Sequence, residues 1–221
     1  MIIGIAGLAG QGKSTAARIT ADLLGYTEYA FADPIKTFFK EVFLWDTEHL
    51  YGHLKEQHVT TPFISGRDLA VGLKAANVGC CHLQAIINFR NTFERFCIHT
   101  GLLDSDYVAQ YRVSPRIAMQ LFGTDVCRAL DESVWVNAAL ERAKADNLVI
   151  GDVRFENEVN AIKSYGGILI HIDREHTYNV NQHSSEAFDT KAVSDYCISN
   201  TGTVKDLRDS LQAIYKKENL I

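Results

Sequence analysis

A chain of 221 residues with 47% hydrophobic content can bury a full core and suits one α/β domain carrying an insertion. Its 22 basic residues are outnumbered by 27 acidic ones. The net charge of −5 argues against an extended nucleic-acid surface but leaves room for a local basic pocket. The five cysteines (Cys80, Cys81, Cys97, Cys127 and Cys197) form an odd set without metal-ligand spacing, which points to reduced intracellular thiols. Adjacent cysteines chelate one ion poorly, so Cys80-Cys81-His82 is not expected to hold zinc. No apolar run is long enough to span a bilayer, and the apolar N-terminus lacks a basic region ahead of it. A soluble cytoplasmic protein with no membrane or nucleic-acid partner is therefore expected.

Met1–Ala6 (MIIGIA) reads as a buried strand. Gly7-Leu8-Ala9-Gly10-Gln11-Gly12-Lys13-Ser14 follows, with two glycines in the phosphate-binding spacing ahead of Lys and Ser. At average glycine usage of about 7%, a chance match somewhere in the chain has odds of roughly one in a hundred. Ala16, Ala17, Ile19, Leu23 and Leu24 then recur at helical spacing, and Gly25 supplies the stop. Strand, glycine loop and helix give the motif its mechanism: backbone N–H groups meet phosphates at a helix N-terminus, where the dipole also favours negative charge. Gly10, Gln11, Gly12, Lys13, Ser14 and Thr15 form the expected nucleotide-binding set. Lys13 would reach the β- and γ-phosphates of ATP, and the Ser14 hydroxyl would ligate Mg²⁺.

A second strand is predicted at Glu28–Ala32, ending at Asp33-Pro34, with Pro34 opening a helix whose apolar positions are Ile35, Phe38, Phe39, Val42 and Phe43. The stretch 46–112 is the expected inserted, mostly helical substrate-binding section. Within it His82–His99 reads as a helix with Leu83, Ile86, Ile87, Phe89, Phe93 and Phe96 facing inward. Ser114 caps a helix with Pro115 at its first position, carrying Ile117, Ala118, Leu121 and Phe122 and ending near Gly123. Ser133–Ala145 is a further helix. Strands are expected at Asn147–Gly151, Gly167–Ile172 and Asp195–Ser199, and Thr203 with Asp206 caps a terminal helix that buries Leu207, Leu211 and Ile214. Alternating strands and helices imply a three-layer, parallel-sheet P-loop NTPase fold with its ligands at the carboxyl ends of the strands.

Those ends carry the candidate chemistry. Asp33, at the end of the second strand, is placed to orient or deprotonate an acceptor or to hold water on Mg²⁺, and Lys36 to meet an acceptor phosphate. Asp152 ends a third rim strand, where a carboxylate behind Mg²⁺ belongs in this fold class. Arg154 could clamp phosphoryl oxygens with its planar fork. Arg116, Gln120 and Thr124 are spaced by four, so they share one face if the helix continues that far. Arg116 suits a phosphate and Gln120 a base edge. Trp135 could stack on a base or pack in the core. Thr177–Ser185 reads as a loop near the last strands, fit for a lid or an adenine-side contact.

Several segments together resemble the bacteriophage deoxynucleoside monophosphate kinase family. They are the phosphate loop, Phe31-Ala32-Asp33-Pro34-Ile35-Lys36, and Ser114-Pro115-Arg116 running to Gln120-Leu121-Phe122-Gly123-Thr124-Asp125 and Arg128. Trp135-Val136, Asp152-Val153-Arg154-Phe155-Glu156-Asn157-Glu158, His183…Ser185-Glu186 and Ile198…Asn200-Thr201-Gly202 complete the set. The pairing of Gln120-x-x-Gly123-Thr124 with Asp152-x-Arg154-x-x-x-Glu158 is its most specific part. The resemblance implies a nucleoside monophosphate kinase-like fold, a host-cell cytoplasmic setting if the source is viral, and transfer of the ATP γ-phosphoryl group to a deoxynucleoside 5′-monophosphate. It implies that Lys13 and Ser14 serve ATP and Mg²⁺. Arg116, Gln120, Gly123, Thr124, Trp135, Asp152, Arg154 and Glu158 would form the monophosphate site and the catalytic surround. Asp152 thus has two open roles, near the metal or on the acceptor. A homodimer is compatible with the chain.

The expected chemistry is direct in-line transfer, with Lys13, Mg²⁺, Arg116 and Arg154 as preorganised positive charge and Asp33 and Asp152 as the carboxylates beside it. The nearest rival is another P-loop small-molecule kinase, similar to dephospho-coenzyme A kinase. A GTP-dependent switch would need Asn-Lys-x-Asp and an Asp-x-x-Gly after a strand, and neither occurs. A DNA-acting motor ATPase is disfavoured by small size and acidic charge.

Overall fold

The computed structural model describes residues 1–62, 64–99, 110–174 and 188–221. Their strands are β1 (Ile2–Ala6), β2 (Thr27–Tyr29), β3 (Val59–Pro62), β4 (Gln110–Val113), β5 (Leu148–Val153), β6 (Ile168–Asp173) and β7 (Tyr196–Ser199). Their α-helices are α1 (Lys13–Leu24), α2 (Asp33–Phe43), α3 (Thr47–Leu50), α4 (Gly66–Ala75), α5 (His82–His99), α6 (Pro115–Gln120), α7 (Val134–Ala143), α8 (Glu156–Ser164) and α9 (Val204–Lys217). The chain forms two compact units, one of Met1–Phe31 with Ala139–Ile221 and one of Ala32–Ala138.

In the first unit five strands run parallel in the order β2-β5-β1-β6-β7. The chain leaves β1 towards one side and later returns to its other side at β6, so the strand order reverses around β1. A crevice outside the carboxyl ends belongs at such a point. The two faces of β1 explain the layers, because alternate residues point to opposite sides. Ile3 and Ile5 join Ala16, Ala17 and Ile19 of α1 and Leu207, Leu211 and Tyr215 of α9 in one apolar cluster. Gly4 faces the other side, where a Cβ would lie 2.7 Å from Ile162 of α8 and 3.0 Å from Leu169. One polar bond lies within the first layer: the Thr20 and Tyr215 hydroxyls meet at 2.5 Å, both fully buried. The expected parallel α/β sheet is the observed one.

Pairing of β1 with β5 contains an irregularity that the sequence does not announce. Gly4 sits opposite Ile150 but Ala6 opposite Val153, so β5 carries one extra residue at Gly151-Asp152. A bulge of this kind re-aims side chains at a strand end.

The second unit is organised around aromatic rings. Phe38 stacks on Phe122 at 3.9 Å, Phe39 on Trp45 at 4.8 Å, and Phe89 on Phe93 at 4.1 Å. Here the structure corrects several boundaries. The second strand stops at Tyr29, so Asp33 does not end it; Asp33 is the first residue of α2, with Pro34 buried beside it. The section 46–112 carries the helices α3, α4 and α5 and, besides them, strands. β3 pairs antiparallel with β4, Val59 opposite Val113, a contact between residues too far apart in sequence for a local pattern to reveal. On α5 the buried row is Ala85, Phe89 and Phe93, which turns Leu83 and Ile87 out to solvent.

The helix opened by Ser114 also does not stop at Gly123. It continues without a break through Leu121–Arg128 as wider turns, in which the Ala129 N–H donates to the Thr124 carbonyl five residues back at 3.1 Å. Glycine reads as a stop, but here its role is clearance, since a Cβ on Gly123 would lie 2.7 Å from Ile35 Cδ1.

Candidate active site

The phosphate loop lies at the carboxyl end of β1. Gly7 adopts φ 138°, and a Cβ there would sit 2.4 Å from the Ile172 carbonyl oxygen. Gly12 adopts φ 98° and forms the N-cap of α1, whose last turn closes on Gly25 in the left-handed region. Both loop positions demand a residue without a side chain. The first-turn N–H groups of α1 have no partner inside the helix, so Lys13, Ser14 and Thr15 present amide donors and the positive end of the dipole at the rim. Lys13 Nζ donates to the Leu8 carbonyl at 2.7 Å. Ser14 and Thr15 are exposed beside it.

Because β5 lies beside β1, its end flanks the loop. Lys13 and Arg154 line one cleft together with Gly7, Leu8 and Thr190, two cations facing a shared space with backbone and hydroxyl groups around them. Asp152, on the bulge, accepts from the Phe31 N–H at 2.8 Å. Glu158 is 2% exposed, and its Oε2 accepts from the N–H groups of Arg154 at 2.8 Å and Phe155 at 3.0 Å. The buried carboxylate holds the turn that carries Arg154.

Gln11, together with Asp173, Lys191, His171 and Thr190, which the sequence did not single out, completes the surroundings of the loop. Gln11 Oε1 accepts from the Leu8 N–H at 2.6 Å, and Nε2 donates to Asp173 Oδ1 at 3.3 Å. Lys191 pairs with the other Asp173 oxygen, and this bond holds the Asp173 carboxyl below the usual carboxylate range. Buried His171 meets the Thr190 hydroxyl at 3.1 Å; burial pushes its pKa down, against the pull of Asp173. Asp173 ends an apolar strand as Asp152 nearly does, and that shared signal could have found it.

The remaining sequence candidates belong to the second unit. Lys36 Nζ lies 3.2 Å from Asp33 Oδ1 and 4.4 Å from the centre of the Tyr51 ring. Arg116, Gln120 and Thr124 are all exposed, and the Arg116 guanidinium bonds Glu56. Trp135 is 2% exposed, with its indole N–H donating to the Gly123 carbonyl at 3.1 Å and its ring 6.2 Å from that of Phe122. Gly123 is buried against Ile35. Of the two roles open to Trp135, the structure places its ring in the aromatic core behind Gly123, and Gly123 packs against Ile35. His183 and Glu186 lie outside the described residues, and among the described residues no cluster of His, Cys, Asp or Glu could hold a metal ion by itself. No described helix is long and apolar enough to cross a membrane.

A parallel sheet whose central strand feeds a glycine loop and a helix headed by Lys-Ser, with an arginine just past the neighbouring strand end, defines a P-loop nucleotide-binding fold. The chain belongs to the deoxynucleotide monophosphate kinase family, whose model matches residues 1–211, and is thus a kinase. It is 30% identical over 198 residues to a protein of Acanthamoeba polyphaga mimivirus named "Putative deoxynucleotide monophosphate kinase", covering 90% of this chain and 86% of that one. Among solved structures it is similar to shikimate kinase from Aquifex aeolicus, with TM-score 0.46 and 11% identity over 100% of this chain and 99% of that one. It is also similar to dephospho-CoA kinase from Campylobacter jejuni, with TM-score 0.43 and 14% identity over 98% and 96%.

Proposed function

We propose that this protein transfers the γ-phosphoryl group of ATP, with Mg²⁺, to deoxynucleoside 5′-monophosphates, giving ADP and the deoxynucleoside diphosphates. The observation that carries the reading is the cleft lined by both Lys13 and Arg154 beside Gly7 and Leu8 of the phosphate loop. Gly10, Gln11, Gly12, Lys13, Ser14 and Thr15 hold the triphosphate through loop amides and the Lys13 ammonium. The donor set suits Mg²⁺, a hard cation that prefers oxygen ligands: the exposed Ser14 hydroxyl would hold it, and Asp152 at the neighbouring strand end would orient water beside it. Once bound there, the ion neutralises charge on the transferred group.

The rest of the work falls to the chain. Two anionic substrates repel, so fixed positive charge must precede them, and Arg154 supplies it with a fork whose backbone Glu158 anchors. Acceptor recognition falls to the exposed polar face of Arg116, Gln120 and Thr124. For the Arg116 guanidinium to take an acceptor phosphate, Glu56 must release it. Lys36 is a second phosphate donor, and Asp33, 3.2 Å away, orients its ammonium. The acceptor phosphate attacks directly, with no covalent intermediate on the protein.

The test is to incubate the protein with ATP, Mg²⁺ and each of the four deoxynucleoside monophosphates, with dephospho-coenzyme A as a control acceptor. Formation of deoxynucleoside diphosphates is the expected result. Phosphorylation of the control alone, or of none, would overturn the proposal.

A further inference from the structure

We propose that Asn200 is a positioning residue for the phosphate loop, fixing the Gln11–Gly12 peptide in its nucleotide-binding orientation from a platform built on Asp173; this rests on the ATP reading above. Asn200 follows β7, and its own N–H donates to the Asp173 carbonyl at 2.6 Å. Its side-chain Nδ2 donates to the Gln11 carbonyl at 2.8 Å. Gly12, the next residue, has no room for a side chain on that face, because a Cβ would stand 2.5 Å from the same Nδ2. The Asn200 amide therefore packs directly against the loop at the residue that opens α1.

Peptide planarity makes this contact directional. In a trans peptide the C=O and the following N–H point in opposite directions. Tying the Gln11 carbonyl to Asn200 aims the Gly12 N–H away from Asn200 and keeps the carbonyl out of the phosphate's path. Glycine at position 12 would otherwise let this peptide turn over cheaply, replacing a donor with an acceptor that repels phosphate. Gln11 braces the same peptide from the other end. Its side chain is 3% exposed and spans from the Leu8 N–H to Asp173, so both carbonyl and side chain of one residue refer back to the ends of β6 and β7. A glycine loop is thus made rigid by groups far away in the chain, and its donors are set before the nucleotide arrives.

Asn200→Asp tests this, because it keeps the shape and replaces the donor with a carboxylate oxygen against the Gln11 carbonyl. ATP with Mg²⁺ is titrated calorimetrically into the wild type, Asn200→Asp and Asn200→Ala, and the kinetic constants of both substrates are measured. We expect the ATP Kd and KM to rise about tenfold or more, the KM for the deoxynucleoside monophosphate to stay within about twofold, and far-ultraviolet circular dichroism to stay native. A merely structural role would lower the melting temperature and leave the ATP Kd of the folded protein unchanged, and that result overturns the proposal. If Asn200→Asp does not fold, Asn200→Ala decides by the same criterion. A wild type that binds no ATP overturns both this inference and the proposed function; wild-type binding matched by both variants overturns this one alone.

Discussion

Lys13 Nζ donates to the carbonyl of Leu8 at 2.7 Å, so the lysine folds back over the loop that precedes it. That bond holds the ammonium at the rim of the loop, where an incoming triphosphate would take it over from the Leu8 carbonyl. Lys13→Ala should therefore lose turnover by about 10²–10³-fold, as for other charge-stabilising donors in closed sites. The residue is not part of the core, so the melting temperature should move by no more than about two degrees. Diphosphate formation by the variant at the wild-type rate would refute the assignment.

Glu158 and Arg154 should separate stability from chemistry. Glu158 is buried and accepts two backbone N–H bonds, so Glu158→Ala strands two donors at the start of α8. The expected cost is roughly 2–4 kcal/mol in urea unfolding. Arg154→Ala removes an exposed guanidinium and should unfold within about 0.5 kcal/mol of the wild type, while its turnover falls by orders of magnitude. Equal stability losses in the two variants would contradict this division.

What the sequence disclosed follows from range. The strand, loop and helix of 1–25 are local, and both ends of α1 are where the glycines and Lys13 place them. Asp152 is legible because an apolar strand ends in a carboxylate, but its bulge depends on register against β1 and is invisible from one segment. The bonds of Gln11 to Asp173 and Asn200 span 162 and 189 residues, so nothing in the loop itself announces them. Glu158 and Trp135 show the opposite difficulty. Their residue types suit a ligand, and only packing reveals that both are buried. Gly123 is legible as a special position, but the partner that requires it, Ile35, comes from another helix.

Trp135 discriminates between a core and a ligand role. Trp135→Phe keeps a ring beside Phe122 but leaves the Gly123 carbonyl without the indole N–H. A loss of about 1–3 kcal/mol is expected, from the lost bond and the smaller ring. Where the variant is fully folded, the KM for the deoxynucleoside monophosphate should stay within about twofold. A large rise in that KM with unchanged urea stability would instead make Trp135 a substrate contact.

His171 should give the protein a pH-dependent stability. Burial lowers its pKa, outweighing the favourable charge of Asp173, while Lys191 and Lys13 add to the lowering and Asp189 opposes it. The folded-state value therefore lies below the unfolded value of about 6.5. Between the two the unfolded chain binds more protons than the folded one, so stability rises with pH through that window and is lost as pH falls through it. Below the folded pKa the penalty is complete and the slope from this residue vanishes. Asp173 adds a slope of the same sign at lower pH, since Lys191 depresses its pKa and the benefit disappears as the carboxylate is protonated. Urea unfolding at several pH values from 5 to 8 checks this, with His171→Gln as the reference that keeps a polar group near Thr190 without titrating. The wild-type curve should be steeper than the variant's below about pH 6.5 and parallel to it above, and a variant with the same slope throughout would show that His171 is not the titrating group.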